Sequence, residues 1–173
     1  ERLEKQLDAP REIQRKILPS KAPEYPNLQI VSVFIPAFEV GGDYYDFFKI
    51  SETKLGFVIA DVSGKGISAA FVMAEVKGIF ESLSKTIEKP KEILIKANDI
   101  LKQALDSKSF VSAAYGYFDL IEKKLIFSRA GHCPLFLLRG DDSKQIRPSG
   151  LGLGLSNKDY FEQTLEEYSV DLK

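Results

Sequence analysis

Three aspartates lie in two strand-like segments that are flanked by glycine. Asp43 and Asp46 belong to GGDYYDFFKI (residues 41–50), and Asp61 ends the apolar part of FVIADVSGKG (residues 57–66). Burying an ionised carboxylate is costly unless hydrogen bonds, a counter-charge or a metal ion compensate it. If adjacent antiparallel strands bring Asp43 and Asp61 together, their oxygens could bind one divalent ion or a pair. Two metal ions about 3.5–4 Å apart can activate a water for in-line phosphoryl displacement.

The same aspartates also have a structural explanation. An aspartate at the end of a strand, next to glycine, commonly forms a turn or caps a helix. Asp61 is followed by Ser63 and Gly64, so it could simply cap a helix that begins near Gly66. Composition and spacing alone leave both explanations open.

Composition limits the kinds of metal and partner. The chain has 173 residues, of which 44% are hydrophobic and 28% charged, as in a soluble globular domain. Its net charge of −1 gives no indication of a basic surface for nucleic acid or an anionic membrane. Its uncharged runs are far shorter than the roughly 20 residues of a membrane span. One histidine, His132, and one cysteine, Cys133, exclude a multi-histidine zinc site. Oxygen ligands would favour magnesium or manganese, and the single cysteine favours a reducing, cytoplasmic setting.

Hydrophobic periodicity predicts the elements that position these aspartates. Helices are expected over residues 1–18, with a break at Pro10, over 67–86, and from Pro90 onward with a buried stripe of Ile93, Ala97, Ile100, Leu101 and Ala104. Residues 19–26 are a proline-rich connection. Strands are expected over 28–37, 43–50, 54–62, 110–121, 124–130 and 134–140, followed by a polar turn at 141–144 and a weaker strand at 161–170. This order predicts an α+β fold, with a mainly antiparallel sheet and helices stacked on its face.

Four sequence blocks in order resemble a known phosphatase family. They are EVGGDYYDFF, ADVSGKGISAAFVMA, FVSAAYGYFD and RAGHCPL. Together they resemble the serine phosphatases of the stage II sporulation protein E class, which are bacterial relatives of the protein phosphatase 2C (PPM) family. The resemblance extends from residue 13 to about residue 155. It implies an αββα sandwich of antiparallel sheets flanked by helices, and a binuclear Mn²⁺ or Mg²⁺ centre.

The resemblance also implies roles for individual residues. Asp43 matches a metal-ligand aspartate, Asp61 matches the aspartate that bridges two metals, and Val62 would offer its backbone carbonyl to the metal. A metal-bound water would then be the nucleophile, with no catalytic side chain. Candidates for a supporting or substrate-side role are Gly42, Asp46 and Lys65. Arg129 stands where the family often has asparagine, a difference expected to matter little.

The resemblance further implies a function and its setting. The expected activity is removal of phosphate from a phosphoserine or phosphothreonine on an anti-sigma factor antagonist-like protein. Residues 1–20 would be a linker helix from an upstream sensor or receiver domain, able to mediate homodimerisation. Residues 21–173 would be the phosphatase domain, incomplete at its C-terminus because the family's later carboxylate block, GD-x-x-x-x-YTDG, is absent from the sequence. The alternatives are a non-catalytic, phosphatase-like interaction module and a small-phosphoester hydrolase.

Three other features of the sequence do not indicate a separate binding or catalytic site. SGKGIS (residues 63–68) lacks the first glycine of a phosphate-binding loop, because Ile59 occupies that position. GLGLGL (residues 150–155) lacks the strand–loop–helix context of a dinucleotide site. A lone histidine without a nucleophile partner is more often a packing or hydrogen-bonding residue, and that is the role expected of His132.

Overall fold

Asp43 and Asp61 lie in neighbouring strands at one edge of a five-stranded antiparallel sheet. A computed structural model of the protein describes residues 11–36 and 40–172. Its elements in chain order are α1 (residues 11–17), β1 (Asp43–Lys49), β2 (Lys54–Val62), α2 (Gly66–Leu83), α3 (Pro90–Ala104), β3 (Val111–Asp119), β4 (Lys124–Ala130), β5 (Leu135–Arg139), β6 (Asp142–Ile146), α4 (Lys158–Thr164) and β7 (Glu167–Asp171). The large sheet has the order β1-β2-β3-β4-β7, and β5 pairs with β6 in a separate hairpin.

One face of the large sheet is covered by helices. Alternate residues of β2 and β3 point to this face, among them Val58, Ala60 and Tyr115, and all three are buried. Helix α2 packs Phe80 against them, with its ring stacked on Tyr115 at a centroid distance of 6.0 Å. Helices α3 and α4 complete the layer, so the largest core lies between the helices and the sheet.

The opposite face of the sheet carries a second, smaller core. The intervening residues of the strands, such as Phe57 and Phe127, point to this side. Leu135, Leu137 and Ile146 of the β5–β6 hairpin pack against them. The described residues therefore form a helical layer, a sheet and a partial second β layer, and the predicted α+β fold with antiparallel sheet is confirmed.

The strand expected over residues 28–37 is wrong for the part that the structure describes. Residues 28–36 form no strand, and an isolated bridge between Tyr25 and Leu28 is their sole β pairing. The side chains of Val31, Val33 and Ile35 are 80%, 76% and 83% exposed. A β-rich composition makes a strand only where a neighbouring strand supplies backbone partners and a surface to pack on.

The C-terminal elements also differ from the prediction. The strand expected over 161–170 is divided between α4 and β7. Helix α4 forms here because the side chain of Asn157 accepts a hydrogen bond from the Tyr160 amide and caps it. Most of the polar turn expected over 141–144 belongs to strand β6. This segment lacks the hydrophobic alternation of a typical strand, and it is a strand because its backbone pairs with β5.

The helix predictions are mostly confirmed. Helices α2 and α3 lie where the periodicity placed them, and three of the five residues in the predicted α3 stripe are buried as expected. The other two differ from the prediction. Ile100 is 42% exposed and Ala104 is exposed, whereas Leu94 and Asn98 are buried. Of the N-terminal helix, residues 1–10, including the break at Pro10, lie outside the described residues. No helix in the described ranges has both the length and the apolar character needed to cross a membrane.

Replacing Phe80 with alanine tests the helix-side core. Phe80 is fully buried, so Phe80→Ala should lower the free energy of unfolding by about 3–5 kcal/mol in urea titrations. Phe71 lies on the same helix but is 73% exposed, so Phe71→Ala should change it by no more than about 0.5 kcal/mol. Equal effects of the two substitutions would contradict this assignment of the core.

Candidate metal centre

The backbone register places Asp43 directly opposite Asp61. Strands β1 and β2 are antiparallel, and these two residues are Cα partners at the end of the pair remote from its connecting turn. The prediction that adjacent strands bring the two aspartates together is confirmed. Both side chains are exposed, so solvent, an ion or a substrate can reach them.

A close backbone approach fixes the chain just before Asp43. The Val62 amide donates a hydrogen bond to the Gly42 carbonyl oxygen at 3.2 Å. A Cβ atom on residue 42 would lie 2.7 Å from the Val62 carbonyl oxygen and 3.0 Å from the Val62 Cβ. Only glycine therefore fits at residue 42, and its absence of a side chain lets the two strand ends approach each other.

The position of Asp61, partly buried and beside Asp43, alters the pKa of its carboxyl. Partial burial first, and then the charge of Asp43 and hydrogen bonding to it, raise the pKa of Asp61 above its ordinary value of 3.8. Two like charges held together in this way favour either a shared proton or a bound cation. Paired carboxylate oxygens are the ligands that hard divalent cations prefer, so the donor set fits magnesium or manganese.

The described residues supply only part of a full coordination shell. Within residues 11–36 and 40–172, no three or more histidine, cysteine, aspartate or glutamate side chains are grouped closely enough to bind a metal. Mg²⁺ usually keeps several waters and takes only one or two protein carboxylates, so two aspartates are enough to anchor a cation of this kind.

Asp61 does not act as the cap of α2. The N-cap residue of this helix is Lys65, in an extended conformation, and no side chain caps the helix. The intervening Ser63 instead bonds to Phe110, the residue just before β3. Its amide donates to the Phe110 carbonyl, and its Oγ accepts from the Phe110 amide. The capping explanation for Asp61 is therefore wrong.

Asp46 lies away from the carboxylate pair, on the other face of β1. Side chains alternate along a strand, so Asp46 points to the helical side, together with Tyr44. Its carboxylate accepts hydrogen bonds from the Tyr44 hydroxyl at 3.0 Å and from the Lys77 ammonium of α2 at 2.8 Å. Asp46 thus connects the strand that carries Asp43 to helix α2.

A serine, a histidine and an arginine lie beside the pair on its β3 side. Ser112 is the Cα partner of Asp61 in β3, and its Oγ lies 2.9 Å from the His132 Nδ1. Arg129 is buried and donates hydrogen bonds to the carbonyl oxygens of His132 and Pro148. Burial and the charge of Arg129 lower the pKa of His132, although Asp43 acts in the opposite direction. His132 makes the hydrogen bond expected of it, and Arg129 fixes its backbone.

Sequence reasoning did not single out Ser112 or a further neighbour, Gln14. Ser112 belongs to the block FVSAAYGYFD, and its position opposite Asp61 depends on the β2–β3 register. Gln14 carries no chemical signal of its own in the sequence, yet it is buried and bonded to the backbone of Gly41.

Comparison with known proteins identifies the family to which this fold and carboxylate pair belong. The family described as stage II sporulation protein E (SpoIIE) matches residues 51–172. The chain belongs to the SpoIIE family. The matched range includes Asp61, while Asp43 lies just before it. This chain is also 32% identical over 170 residues to the phosphoserine phosphatase RsbU of Bacillus subtilis (strain 168). That match covers 95% of the chain and 50% of RsbU, so the chain spans about half the length of this relative.

Solved structures agree with the fold. The PP2C phosphatase domain of SpoIIE from Bacillus subtilis, solved with a fragment of its regulatory domain, matches with a TM-score of 0.66 and 26% identity. That match covers 76% of this SpoIIE-family chain and 38% of the solved one. The SiaA-PP2C domain of Pseudomonas aeruginosa is 16% identical, with a TM-score of 0.78 over 99% of this chain and 68% of its own. The fold is therefore PP2C-like, as the sequence predicted.

Neutralising Asp61 should stabilise the metal-free protein in a pH-dependent way. Because its pKa is raised by folding, the folded state binds this proton more tightly than the unfolded chain does. Wild-type stability should therefore fall as pH rises from the ordinary value of 3.8 through the folded pKa, and Asp61→Asn should not show this loss. With a chelator present, the melting temperature of Asp61→Asn should exceed that of wild type at pH 7, and by less at pH 4.

The control is Asp142→Asn, which neutralises an exposed carboxylate in β6. Thermal unfolding followed by circular dichroism measures all three proteins. A lower melting temperature for Asp61→Asn than for wild type at pH 7 would contradict a pKa of Asp61 that folding raises.

Proposed function

We propose that this SpoIIE-family chain is the catalytic part of a metal-dependent serine/threonine protein phosphatase. The observation that carries the proposal is the exposed carboxylate pair, Asp43 opposite Asp61, at the edge of a PP2C-like sheet. Its family and its likeness to a phosphoserine phosphatase give the reaction class.

In this proposal each residue of the site has a defined task. Asp43 and Asp61 bind Mn²⁺ or Mg²⁺, and the backbone carbonyl of Val62 is a further oxygen ligand. Gly42 allows the close approach of the two strands. Asp46 supports the site indirectly, because its hydrogen bond with Lys77 connects β1 to α2. When bound, such cations polarise phosphoryl oxygens and lower the pKa of water, so no protein nucleophile is required.

The substrate that we propose is a phosphoserine on an anti-sigma factor antagonist-like protein. The likeness to RsbU supports phosphoserine as the reacting group. The exposed position of the carboxylate pair suits a phosphate presented on a protein surface, and Lys65, exposed at the start of α2, is a candidate contact for it. An upstream sensor or receiver domain, and dimerisation through the N-terminal helix, complete the proposed setting.

One observation favours a second candidate function. Because no group of three or more metal-binding side chains occurs in the described ranges, the domain could instead be a phosphatase-like interaction module that does no chemistry. The two candidates differ in one measurable property, which is hydrolysis that depends on a divalent cation.

Phosphate release from a phosphorylated antagonist protein tests the proposal. The intact protein should release phosphate with Mn²⁺ or Mg²⁺ and not with excess chelator. Removing a residue that only supports a metal ligand typically lowers activity 10- to 100-fold. Removing a carboxylate that is itself a ligand should lower the activity by at least as much. We therefore expect Asp43→Asn and Asp61→Asn each to lower the rate by about a hundredfold or more.

Asp142→Asn is the matched control, because it removes an exposed carboxylate from the hairpin without touching the pair. p-Nitrophenyl phosphate, assayed in parallel, separates a protein phosphatase from a small-phosphoester hydrolase, which would show no preference for the phosphoprotein. An intact wild type that is inactive with both cations would favour the interaction module.

A further inference from the structure

The side chain of Gln14 is bonded at both ends of its amide to one residue near the carboxylate pair. Its Nε2 donates to the Gly41 carbonyl oxygen at 2.6 Å, and its Oε1 accepts from the Gly41 amide at 3.1 Å. Gln14 is only 4% exposed, although it lies in a helix whose neighbouring residues, such as Arg15, are exposed. A buried amide with both polar groups satisfied by one backbone unit is a specific contact, because losing either bond would leave a buried polar group unpaired.

Gly41 lies two residues before Asp43, so this contact acts on the backbone that leads into the site. In the same short segment, Gly42 is bonded to Val62 and lies too close to it for a side chain. The segment from Gly41 to Asp43 is thus fixed from two directions, by Gln14 of α1 and by Val62 of β2.

Helix α1 is itself fixed to the domain, so Gln14 bonds to Gly41 from a defined position. Leu18, directly after the helix, is 7% exposed and belongs to the main core, and Ile17 packs against that core. These apolar contacts position the helix independently of Gln14. Removing the Gln14 amide therefore leaves the anchoring of α1 in place while freeing the Gly41 backbone.

We propose that Gln14 is a positioning residue for the metal site. It holds the Gly41 backbone so that the carboxylate of Asp43 is preorganised opposite Asp61. The inference rests on the metal site of the proposed function, and it adds a residue from outside the sheet to that site. Residues that orient metal ligands typically contribute 10- to 100-fold to metal affinity.

The test measures Mn²⁺ affinity, which a purely structural role of Gln14 would not change. In the intact protein, Gln14→Leu keeps the approximate size of the side chain and removes both hydrogen bonds. Gln14→Glu keeps the acceptor for the Gly41 amide and removes the donor. Arg15→Leu is the matched control, because it places the same apolar residue at the adjacent, exposed position of α1. Free Mn²⁺ is followed by electron paramagnetic resonance in a titration well below each melting temperature.

We expect Gln14→Leu to weaken Mn²⁺ binding about tenfold, Gln14→Glu to weaken it measurably, and Arg15→Leu to bind as wild type does. Amide hydrogen exchange in the metal-free protein should be faster at residues 41–43 in Gln14→Leu than in wild type. Folded Gln14 variants with wild-type Mn²⁺ affinity would overturn the inference and leave the proposed function intact. If Gln14→Leu does not fold, Gln14→Glu decides in the same way. A wild type that binds no Mn²⁺ would overturn both.

Discussion

The structure around the site depends on one constraint, the close antiparallel approach of β1 and β2 at the end where Asp43 faces Asp61. The Val62 amide bonds to the Gly42 carbonyl, and the absence of a side chain on Gly42 permits the approach. A one-residue slip of this register would turn either aspartate to the opposite face of the sheet. The core favours the same register, because Tyr44 and Ala60 are also paired and both are buried beneath the helices.

The carboxylate pair is unfavourable to the fold in the absence of a cation. Folding partly buries Asp61 and brings it close to the like charge of Asp43. Both effects raise the pKa of Asp61, so the site lowers stability at neutral pH. The helical layer offsets this with apolar burial, including the stacked rings of Phe80 and Tyr115. The protein therefore combines a site that is unfavourable to stability with a well-packed scaffold, the trade-off expected between stability and function.

The surroundings of the pair come from chain segments that are far apart in sequence. Gln14 in α1 bonds to the segment before Asp43, Lys77 in α2 bonds to Asp46, and Ser112 in β3 pairs with His132 beside Asp61. Arg129, which was expected to matter little, is buried and bonds to the carbonyl oxygens of two loops. The site is therefore supported by contacts on both faces of the sheet and at its edge.

The two aspartates, their strands and the α+β class could be predicted from the sequence, because they follow from local periodicity and from motifs that resemble a known family. The sequence also predicted α2 and α3, since helical spacing of apolar residues is a local property. It wrongly predicted a strand over residues 28–36, and α4 and β6 were missed. A strand requires a partner elsewhere in the chain, α4 required recognition of the Asn157 cap, and β6 exists because β5 pairs with it. The hydrogen bonds of Gln14 and Arg129 could not be predicted in this way. Each connects a side chain to the backbone of another segment, and backbone groups are the same at nearly every residue, so the sequence does not indicate which of them a side chain will meet.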